Sequence, residues 1–366
     1  MAQTQHEGTP AQPTRRTATP RGELRAGDLV QVRSKAEILA TVDERGTVGG
    51  MPFMPEMLQY AGQTVRVSKR ADKTCDTIHS SGLRRLRQTV HLEGLRCDGS
   101  AHGGCQAGCL LYWNEVWVRR PAGASAVSAA GPAGESTPTP VPTEADLQRL
   151  TRLAAADDGS PRYACQITEV WDSSTPLPWW NPSQYWRDIV TRNASIRQVL
   201  TGMYRWASVR VQWRINRSGI PGVKGSLTRT PREVLELQPG ERVRIKSKRA
   251  IEATLDTNNR NRGLRVDPDQ ILFCGREFRV LRRVSRIIDE RTRQMVQIPG
   301  DCIVLDGGAC TGAFNRACPR SDFPYWREIW LERVAESAGA TVEWPASAPE
   351  ESRTPEGSSA PEAAAS

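Results

Sequence analysis

The chain contains two long stretches that align with each other without a gap. Residues 27–120 and 240–333 match at an offset of 213 positions, and 25 of the 94 aligned residues are identical. Unrelated stretches of this length would share about six identical residues, so the similarity indicates an internal duplication. We therefore expect one structural unit to occur twice in the fold.

The duplication divides the nine cysteines into two groups of four. The first copy contains Cys75, Cys97, Cys105 and Cys109, the second contains Cys274, Cys302, Cys310 and Cys318, and Cys165 lies between them. The sequence has neither a secretory signal pattern nor an apolar stretch of the roughly 18 residues that a membrane span needs. We expect a cytoplasmic protein, in which clustered cysteines favour metal or redox chemistry over disulfides.

Composition predicts three folded blocks. Residues 1–22, 121–143 and 338–366 are poor in apolar residues that could form a core, and we predict that they are disordered. The folded blocks are the first copy at 23–120, a Trp-rich bridging segment at 144–235, and the second copy at 236–337.

Each copy has the alternation of apolar and polar residues that is typical of short β-strands. Residues 28–33, 63–69 and 90–93 predict strands in the first copy, and 277–283 and 303–306 predict their counterparts. Four or five such strands around a Met- and Pro-containing loop predict an SH3-like barrel. The expected fold is therefore mainly β with a smaller α part, two tandem SH3-like β-barrels bridged by a Trp-rich helical segment. A barrel of this size buries little apolar surface, so a bound metal would stabilise it usefully.

The bridging segment holds six of the 11 tryptophans. Residues 183–190 and 196–204 have apolar side chains at helical spacing. We expect a helical clamp that packs its rings between the barrels, although the same rings could form an exposed binding surface. Residues 206–213 alternate like a strand with an Arg-bearing outer face. With the surrounding stretch 205–217 they could instead bind single-stranded nucleic acid.

The two cysteine quartets are the candidate metal sites. The predicted ligands are Cys75, Cys97, Cys105, Cys109 and His102 in the first copy, and Cys274, Cys302, Cys310 and Cys318 in the second. Either Asp289 or Asp322 could replace Cys274. Only the Cys-x7-Cys pair is common to both copies, and the remaining thiols occupy different aligned positions.

Three interpretations of the quartets stay open. Thiolates suit both iron–sulfur clusters and zinc, and a proline after Cys318 is also found after the last ligand of many ferredoxins. Neither copy has the Cys-x2-Cys knuckle of most structural zinc sites, yet the close spacing of Cys97, His102, Cys105 and Cys109 favours zinc. The cysteines could also be buried apolar residues or a redox thiol pair without metal.

Residues 73–78, 90–109 and 324–330 carry a resemblance that spans both copies. They resemble an uncharacterised bacterial family of duplicated, cysteine-containing SH3-like barrel proteins associated with biosynthetic genes. The resemblance implies that the cysteines characteristic of the family are Cys75, Cys97, Cys105, Cys109, Cys302, Cys310 and Cys318. It implies no particular activity.

The sequence favours a non-catalytic role, although it leaves open whether the protein is an enzyme. It contains no P-loop, dinucleotide-binding glycine motif, Gly-x-Ser-x-Gly or His-Glu-x-x-His, and none of its four histidines lies in the second copy. We expect a metal-binding accessory protein with an iron–sulfur centre in each barrel, transferring electrons to a partner redox or biosynthetic enzyme. The net charge of +9 favours an acidic partner. The alternative is a zinc-stabilised module that binds RNA or protein.

Overall fold

The first copy is built around a five-stranded antiparallel sheet in a computed structural model. The structure describes residues 22–121, 141–216, 220 and 223–335. The segments predicted to be disordered lie outside the described residues, apart from Gly22, Pro121 and 141–143. Arg217 lies outside them as well.

The elements of the first copy begin with a short strand and a capped helix. They are β1 (Leu29–Val32), α1 (Lys35–Leu39), β2 (Thr47–Val48), β3 (Met51–Pro52), a 3-10 helix (Pro55–Tyr60), β4 (Thr64–Arg70), β5 (Lys73–Cys75), β6 (Leu83–Arg85), β7 (Thr89–Leu92), β8 (Trp113–Asn114), a 3-10 helix (Glu115–Trp117) and β9 (Val118–Arg119). The sheet order is β8-β7-β4-β1-β9.

In its described residues the bridging segment forms four helices and three short strands. It contains α2 (Glu144–Leu150), β10 (Arg152–Leu153), β11 (Arg162–Tyr163), α3 (Gln166–Glu169), β12 (Thr175–Leu177), α4 (Ser183–Val190) and α5 (Ile196–Asn216). Strand β12 adds to the β5–β6 hairpin and forms a three-stranded sheet in the order β12-β6-β5.

The second copy repeats the element order of the first, except that one long strand replaces each of the strand pairs β4–β5 and β6–β7. It contains β13 (Arg242–Ile245), α6 (Lys248–Glu252), β14 (Arg260–Asn261), β15 (Leu264–Arg265), a 3-10 helix (Pro268–Phe273), β16 (Glu277–Ile288), β17 (Met295–Leu305), β18 (Trp326–Arg327), a 3-10 helix (Glu328–Trp330) and β19 (Leu331–Arg333). The sheet order is β18-β17-β16-β13-β19.

The two five-stranded sheets have the same strand order, and both are open. In the described part of the chain, the outer strands of each sheet pair on one side only and do not close a barrel. The mainly antiparallel β architecture with a few helices is therefore confirmed. The SH3-like form of the two copies stays a prediction.

Matching side chains hold matching elements in the two copies. The Ser34 hydroxyl accepts a hydrogen bond from the first turn of α1, and the Ser247 hydroxyl does the same at α6. The indole N–H of Trp117 donates to the Thr41 hydroxyl at 3.1 Å. Its counterpart Trp330 donates to Thr254 at 2.9 Å. Both tryptophans are fully buried, so each copy has its own aromatic core.

The helices of the bridging segment differ from the predicted clamp. Helix α5 continues through residues 206–213, so the prediction of a strand there is wrong. The rings of Trp180 and Trp186 are 69% and 66% exposed, and they do not pack between the sheets. Alternating Arg and apolar residues indicated a strand. A helix that packs through only a few small residues can carry the same residue types on its exposed side, so the pattern does not distinguish the two.

The hairpins of the two copies extend toward each other. The distal part of the β16–β17 hairpin contacts the cysteine loop of the first copy, where the Gln106 side-chain oxygen accepts the N–H of Ser285 at 2.7 Å and the Cys105 sulfur accepts the N–H of Ile288 at 3.4 Å. Reciprocally, Lys73 on β5 donates to the Arg316 carbonyl in the cysteine loop of the second copy at 2.6 Å. Each copy therefore supplies part of the surroundings of the other copy's cysteines.

No helix in the described part of the chain is long and apolar enough to cross a membrane.

The buried Glu328 offers a test of how the second copy is held together. Its carboxylate accepts the backbone N–H groups of Leu235 and Leu237 and pairs with Arg283. Glu328→Ala leaves these donors buried and unpaired, so we expect the free energy of unfolding in urea to fall by about 3–5 kcal/mol. The matched control is Glu332→Ala, because Glu332 is a half-exposed partner of Arg244. It should cost less than about 1 kcal/mol. Equal effects of the two variants would contradict this role of Glu328.

Candidate metal centre and aromatic surface

A cavity of about 420 Å³ lies where the two copies and the bridging segment meet. Its wall includes four thiols, one imidazole and three carboxylates, contributed by Cys97, Cys105, Cys109, Cys165, His102, Glu56, Asp289 and Glu290. The first copy supplies most of these groups, the bridging segment supplies Cys165, and the β16–β17 hairpin supplies the two acids at 289 and 290. The cavity exists only because the three parts pack together.

Glu56, Cys97 and His102 form a compact trio on this wall. The Cys97 sulfur lies 3.3 Å from His102 Nε2 and 3.4 Å from Glu56 Oε1. His102 Nδ1 lies 3.5 Å from the same carboxylate oxygen. The side chains of Glu56 and His102 are each 1% exposed. Thiolate, imidazole and carboxylate are the three common zinc-ligand types, and this trio is the one group of metal-binding geometry found within the described residues.

Local backbone structure places the trio. Glu56 lies in the first turn of the 3-10 helix that begins at Pro55. Cys97 and His102 lie on one loop whose base is closed by the hydrogen bond from the Cys97 N–H to the Cys109 carbonyl at 2.9 Å. Within the loop Gly99 has φ +77°, and a Cβ there would lie 2.1 Å from the Cys105 carbonyl oxygen. Only glycine allows so close an approach.

The bridging segment also fixes this loop. The Gln148 amide and the Thr151 hydroxyl both donate to the Ala101 carbonyl, at 2.9 and 2.8 Å. The Gln166 amide donates to the Tyr112 carbonyl at 2.8 Å, and this anchors the start of α3, where Cys165 is the N-cap residue. The bridging segment is therefore part of the site and not only a connection.

Burial determines the electrostatics of the trio. It raises the pKa of Glu56 to about 7, lowers that of His102 to about 4, and raises that of Cys97 well above its usual value. Glu56 Oε2 and His102 Nδ1 are buried without a hydrogen-bond partner. Unpaired buried acceptors and donors are costly. A cation bound here would remove that cost, so the residues fit a divalent metal of the zinc class.

Three more thiols face the same cavity. They are Cys105, Cys109 and Cys165. Burial raises the pKa of Cys97, Cys109 and Cys165, and the neighbouring thiols of the cavity add to each of these three shifts. Cys165 was assigned no role by the sequence because it lies outside both copies. Residue type was the only available sign of its role, and a cysteine by itself does not distinguish a site residue from a core residue.

The second copy has a reduced counterpart of the trio. Cys310 and Asp269 lie 213 positions after Cys97 and Glu56, and their sulfur and carboxylate oxygen are 3.0 Å apart. The position of His102 is taken by Asn315. Asp269 Oδ2 already accepts the backbone N–H groups of Thr311 and Gly312 at 2.8 and 2.9 Å. Its carboxylate therefore serves as a loop cap, and the predicted second-copy site has no imidazole.

The remaining predicted ligands lie apart from this cavity. Cys75 packs against Cys318 of the other copy, beside Leu83 and Leu177. Cys302 is buried in β17, where its sulfur accepts the Arg327 guanidinium at 3.3 Å. Cys274 is half-buried against the second core. Of the nine predicted ligands, the structure brings Cys97, His102, Cys105 and Cys109 together. The other five lie outside this cavity, and among them Cys75 and Cys318 share one pocket.

A second feature is an aromatic and basic surface on α4 and α5. Exposed rings and apolar side chains follow one another along the two helices, at Trp179, Trp180, Trp186, Ile196, Leu200, Tyr204, Val211, Trp213 and Ile215. The rings of Trp179 and Trp206 lie 5.5 Å apart with an interplanar angle of 35°. Two guanidinium groups lie over Trp206, those of Arg210 at 5.3 Å and Arg316 at 5.1 Å. We call this set of residues the α4–α5 surface.

The charge of the α4–α5 surface is entirely positive. Helix α5 carries Arg197, Arg205, Arg210 and Arg214, and the chain has no Asp or Glu between Asp188 and Glu233. Among the described residues these arginines form no ion pair with a carboxylate. The surface is therefore both unneutralised and rich in exposed rings.

No protein-family model, curated protein or solved structure matches this chain. The resemblance to a family of duplicated barrel proteins stays a prediction.

The trio predicts a specific pH dependence of stability in the metal-free protein. The pKa of Glu56 rises from 4.5 to about 7. The contribution of Glu56 to the free energy of unfolding is therefore fully present below pH 4.5 and is lost as the pH rises through 7. The pKa of His102 falls from 6.5 to about 4, so the contribution of His102 to the free energy of unfolding is present above pH 6.5 and is lost as the pH falls through 4. The two effects oppose each other in the wild type.

Single substitutions should separate the two effects. Relative to the wild type, His102→Asn should gain up to about 3 kcal/mol of unfolding free energy as the pH falls from 6.5 to 4. Glu56→Gln should lose a similar amount as the pH falls from 7 to 4.5. Denaturant titrations on chelator-treated protein at several pH values measure both. Three parallel curves would contradict the assigned burial of these groups.

Proposed function

We propose that this protein is a zinc-stabilised binding module whose ligand is single-stranded nucleic acid. The observation that carries the proposal is the α4–α5 surface, where exposed rings lie among arginines that no carboxylate neutralises. The metal centre at Glu56, Cys97 and His102 is its structural support, since it joins the cysteine loop to the 3-10 helix. Two tandem SH3-like units in the cytoplasm remain part of this proposal.

Zinc is the metal that the trio fits best. Three different ligands within one small site leave a fourth position, which a cavity thiol or a water can complete. A bound metal of this kind removes the desolvation cost of Glu56 and the unpaired state of His102 Nδ1. It also stabilises a small core that depends on loops.

A second candidate function is electron transfer by an iron–sulfur cluster. It is favoured by one observation, the presence of Cys97, Cys105, Cys109 and Cys165 on the wall of one cavity. Four thiolates are the usual ligands of such a cluster. The partner would then be a redox or biosynthetic enzyme, and the positive surface would dock an acidic face of it.

Metal analysis with matched variants distinguishes the two candidates. On anaerobically purified protein we expect about one zinc per chain, no visible colour, and loss of the metal in Cys97→Ser and His102→Asn. Cys310→Ser is the matched control, since Cys310 occupies the equivalent position beside Asp269 without a histidine. It should keep the metal. Iron and sulfide with absorption near about 400 nm, lost in Cys165→Ser, would replace the zinc proposal by the cluster.

Single-stranded nucleic acid fits the α4–α5 surface better than a membrane or a second copy of the chain. The exposed apolar residues of helix α5 are interrupted by charge, because Arg197, Arg210 and Arg214 lie within or beside them. A helix that lies on a membrane keeps its charges on the side opposite its apolar face. Self-association would bring the four arginines of one chain against the four of another, which is unfavourable. Unstacked bases offer flat faces for the rings and phosphates for the guanidinium groups.

The ring contribution is tested with two tryptophans. We expect a labelled oligouridine or oligothymidine of about 15 nucleotides to bind at low salt, with affinity falling steeply as potassium chloride increases. Trp180→Ala combined with Trp186→Ala should weaken binding by roughly tenfold or more, since stacking contributes about 1–3 kcal/mol per base. Fluorescence anisotropy measures the affinity.

The charge contribution and the controls use the same assay. Arg197→Gln combined with Arg210→Gln should reduce the magnitude of the slope of log affinity against log salt concentration by roughly 1–2. Arg45→Gln is the control, because Arg45 is equally exposed but belongs to the first copy. A duplex of the same length should bind more weakly. Binding that is absent at about 50 mM salt, or that all variants share, would overturn the proposal.

A further inference from the structure

Cys75 and Cys318 bring a thiol from each copy into one small apolar pocket. Cys75 ends strand β5, and Cys318 lies in the loop of the second copy, with Leu83 and Leu177 packed around both. The Arg320 guanidinium donates to the Cys75 carbonyl at 3.2 Å, and Lys73 donates to the Arg316 carbonyl at 2.6 Å. These two bonds hold the segments around each cysteine together from opposite sides.

The equivalent place in the other half of the molecule contains only one thiol. Cys105 lies 213 positions before Cys318, and Ile288 lies 213 positions after Cys75. There the Cys105 sulfur meets the backbone N–H of Ile288 at 3.4 Å. The same packing of a hairpin on a cysteine loop therefore occurs twice, but it joins two thiols only at Cys75 and Cys318.

The surroundings favour reaction of one thiol of the pair. The neighbouring Cys75 thiol lowers the pKa of Cys318, and Cys318 raises that of Cys75. Arg320 and Lys73 add positive charge on the Cys318 side. Cys75 is partly exposed and Cys318 is buried, so only a small oxidant can reach the pair. Neither residue belongs to the Glu56, Cys97 and His102 trio.

We propose that Cys75 and Cys318 form a peroxide-sensitive thiol–disulfide site that links the two copies covalently when it is oxidised. The Cys318 thiolate attacks one oxygen of hydrogen peroxide, the O–O bond breaks, and a sulfenic acid and one water result. The Cys75 sulfur then attacks the sulfenic sulfur, the S–O bond breaks, and a second water leaves. Two thiols are oxidised to one disulfide, and one peroxide is reduced to two waters.

The test is peroxide titration of the metal-loaded full chain, followed by digestion with trypsin without reductant. We expect the chain to lose about 2 Da, the mass of two hydrogens, and to give one linked pair of peptides, residues 74–84 and 317–320. Reduction with dithiothreitol should reverse both changes. Because the bond closes a very long loop, the melting temperature should rise by about 5 °C or more on oxidation.

Serine variants of three cysteines separate the site from the rest of the chain. Cys75→Ser and Cys318→Ser should each abolish the linked peptides and the rise in melting temperature. Cys274→Ser is the control, because Cys274 is half-buried against the second core and lies apart from both sites, and it should leave both unchanged. Linked peptides that join cavity thiols only, or oxidation of Cys318 beyond the sulfenic acid with no link to Cys75, would overturn the proposal. The wild-type peptide map decides the question even if a serine variant fails to fold.

Discussion

The contact between the hairpin of one copy and the cysteine loop of the other is the interaction on which the rest of the structure depends. It occurs in both directions, at Gln106 with Ser285 and at Lys73 with Arg316. It encloses the cavity, because residues 289 and 290 reach the wall only through the β16–β17 hairpin. It also explains why cysteines from different copies meet. A single copy would expose these loops and have no enclosed site.

Enclosure by this contact also sets the chemistry of the trio. A carboxyl and an imidazole that are both buried move their pKa values in opposite directions, since each avoids its charged form. Glu56 and His102 follow this rule and lie within 3.5 Å of each other. In the second copy the equivalent residue is Asp269, whose carboxylate accepts hydrogen bonds from backbone N–H groups. The two related loops thus differ in their polar groups, and the imidazole position is His102 in the first copy and Asn315 in the second.

Several elements could be predicted from the sequence because the responsible interactions are local. The strand at 64–70 and the helix at 183–190 follow from the periodicity of their apolar residues. Helix α5 was only half predicted, since its alternating Arg and apolar residues fit a strand as well as a helix in isolation. The exposure of Trp180 and Trp186 agrees with the alternative of exposed rings and not with the expected clamp. The sequence left both open, because it gives the apolar character of a ring and not what covers it.

The sequence by itself determined that the chain has two similar stretches, that each has a shared Cys-x7-Cys pair, and that His102 belongs to the first of them alone. These are properties of residue type and spacing. The tertiary structure decided which thiols share a place. Cys75 lies beside Cys318 and not with its predicted quartet, and Cys165 lines the same cavity as Cys97. The two residues of each pair are distant along the chain. The physical reason is that the cysteines are brought together where a hairpin packs on a loop of the other copy. The local sequence of a hairpin does not determine which loop it packs against.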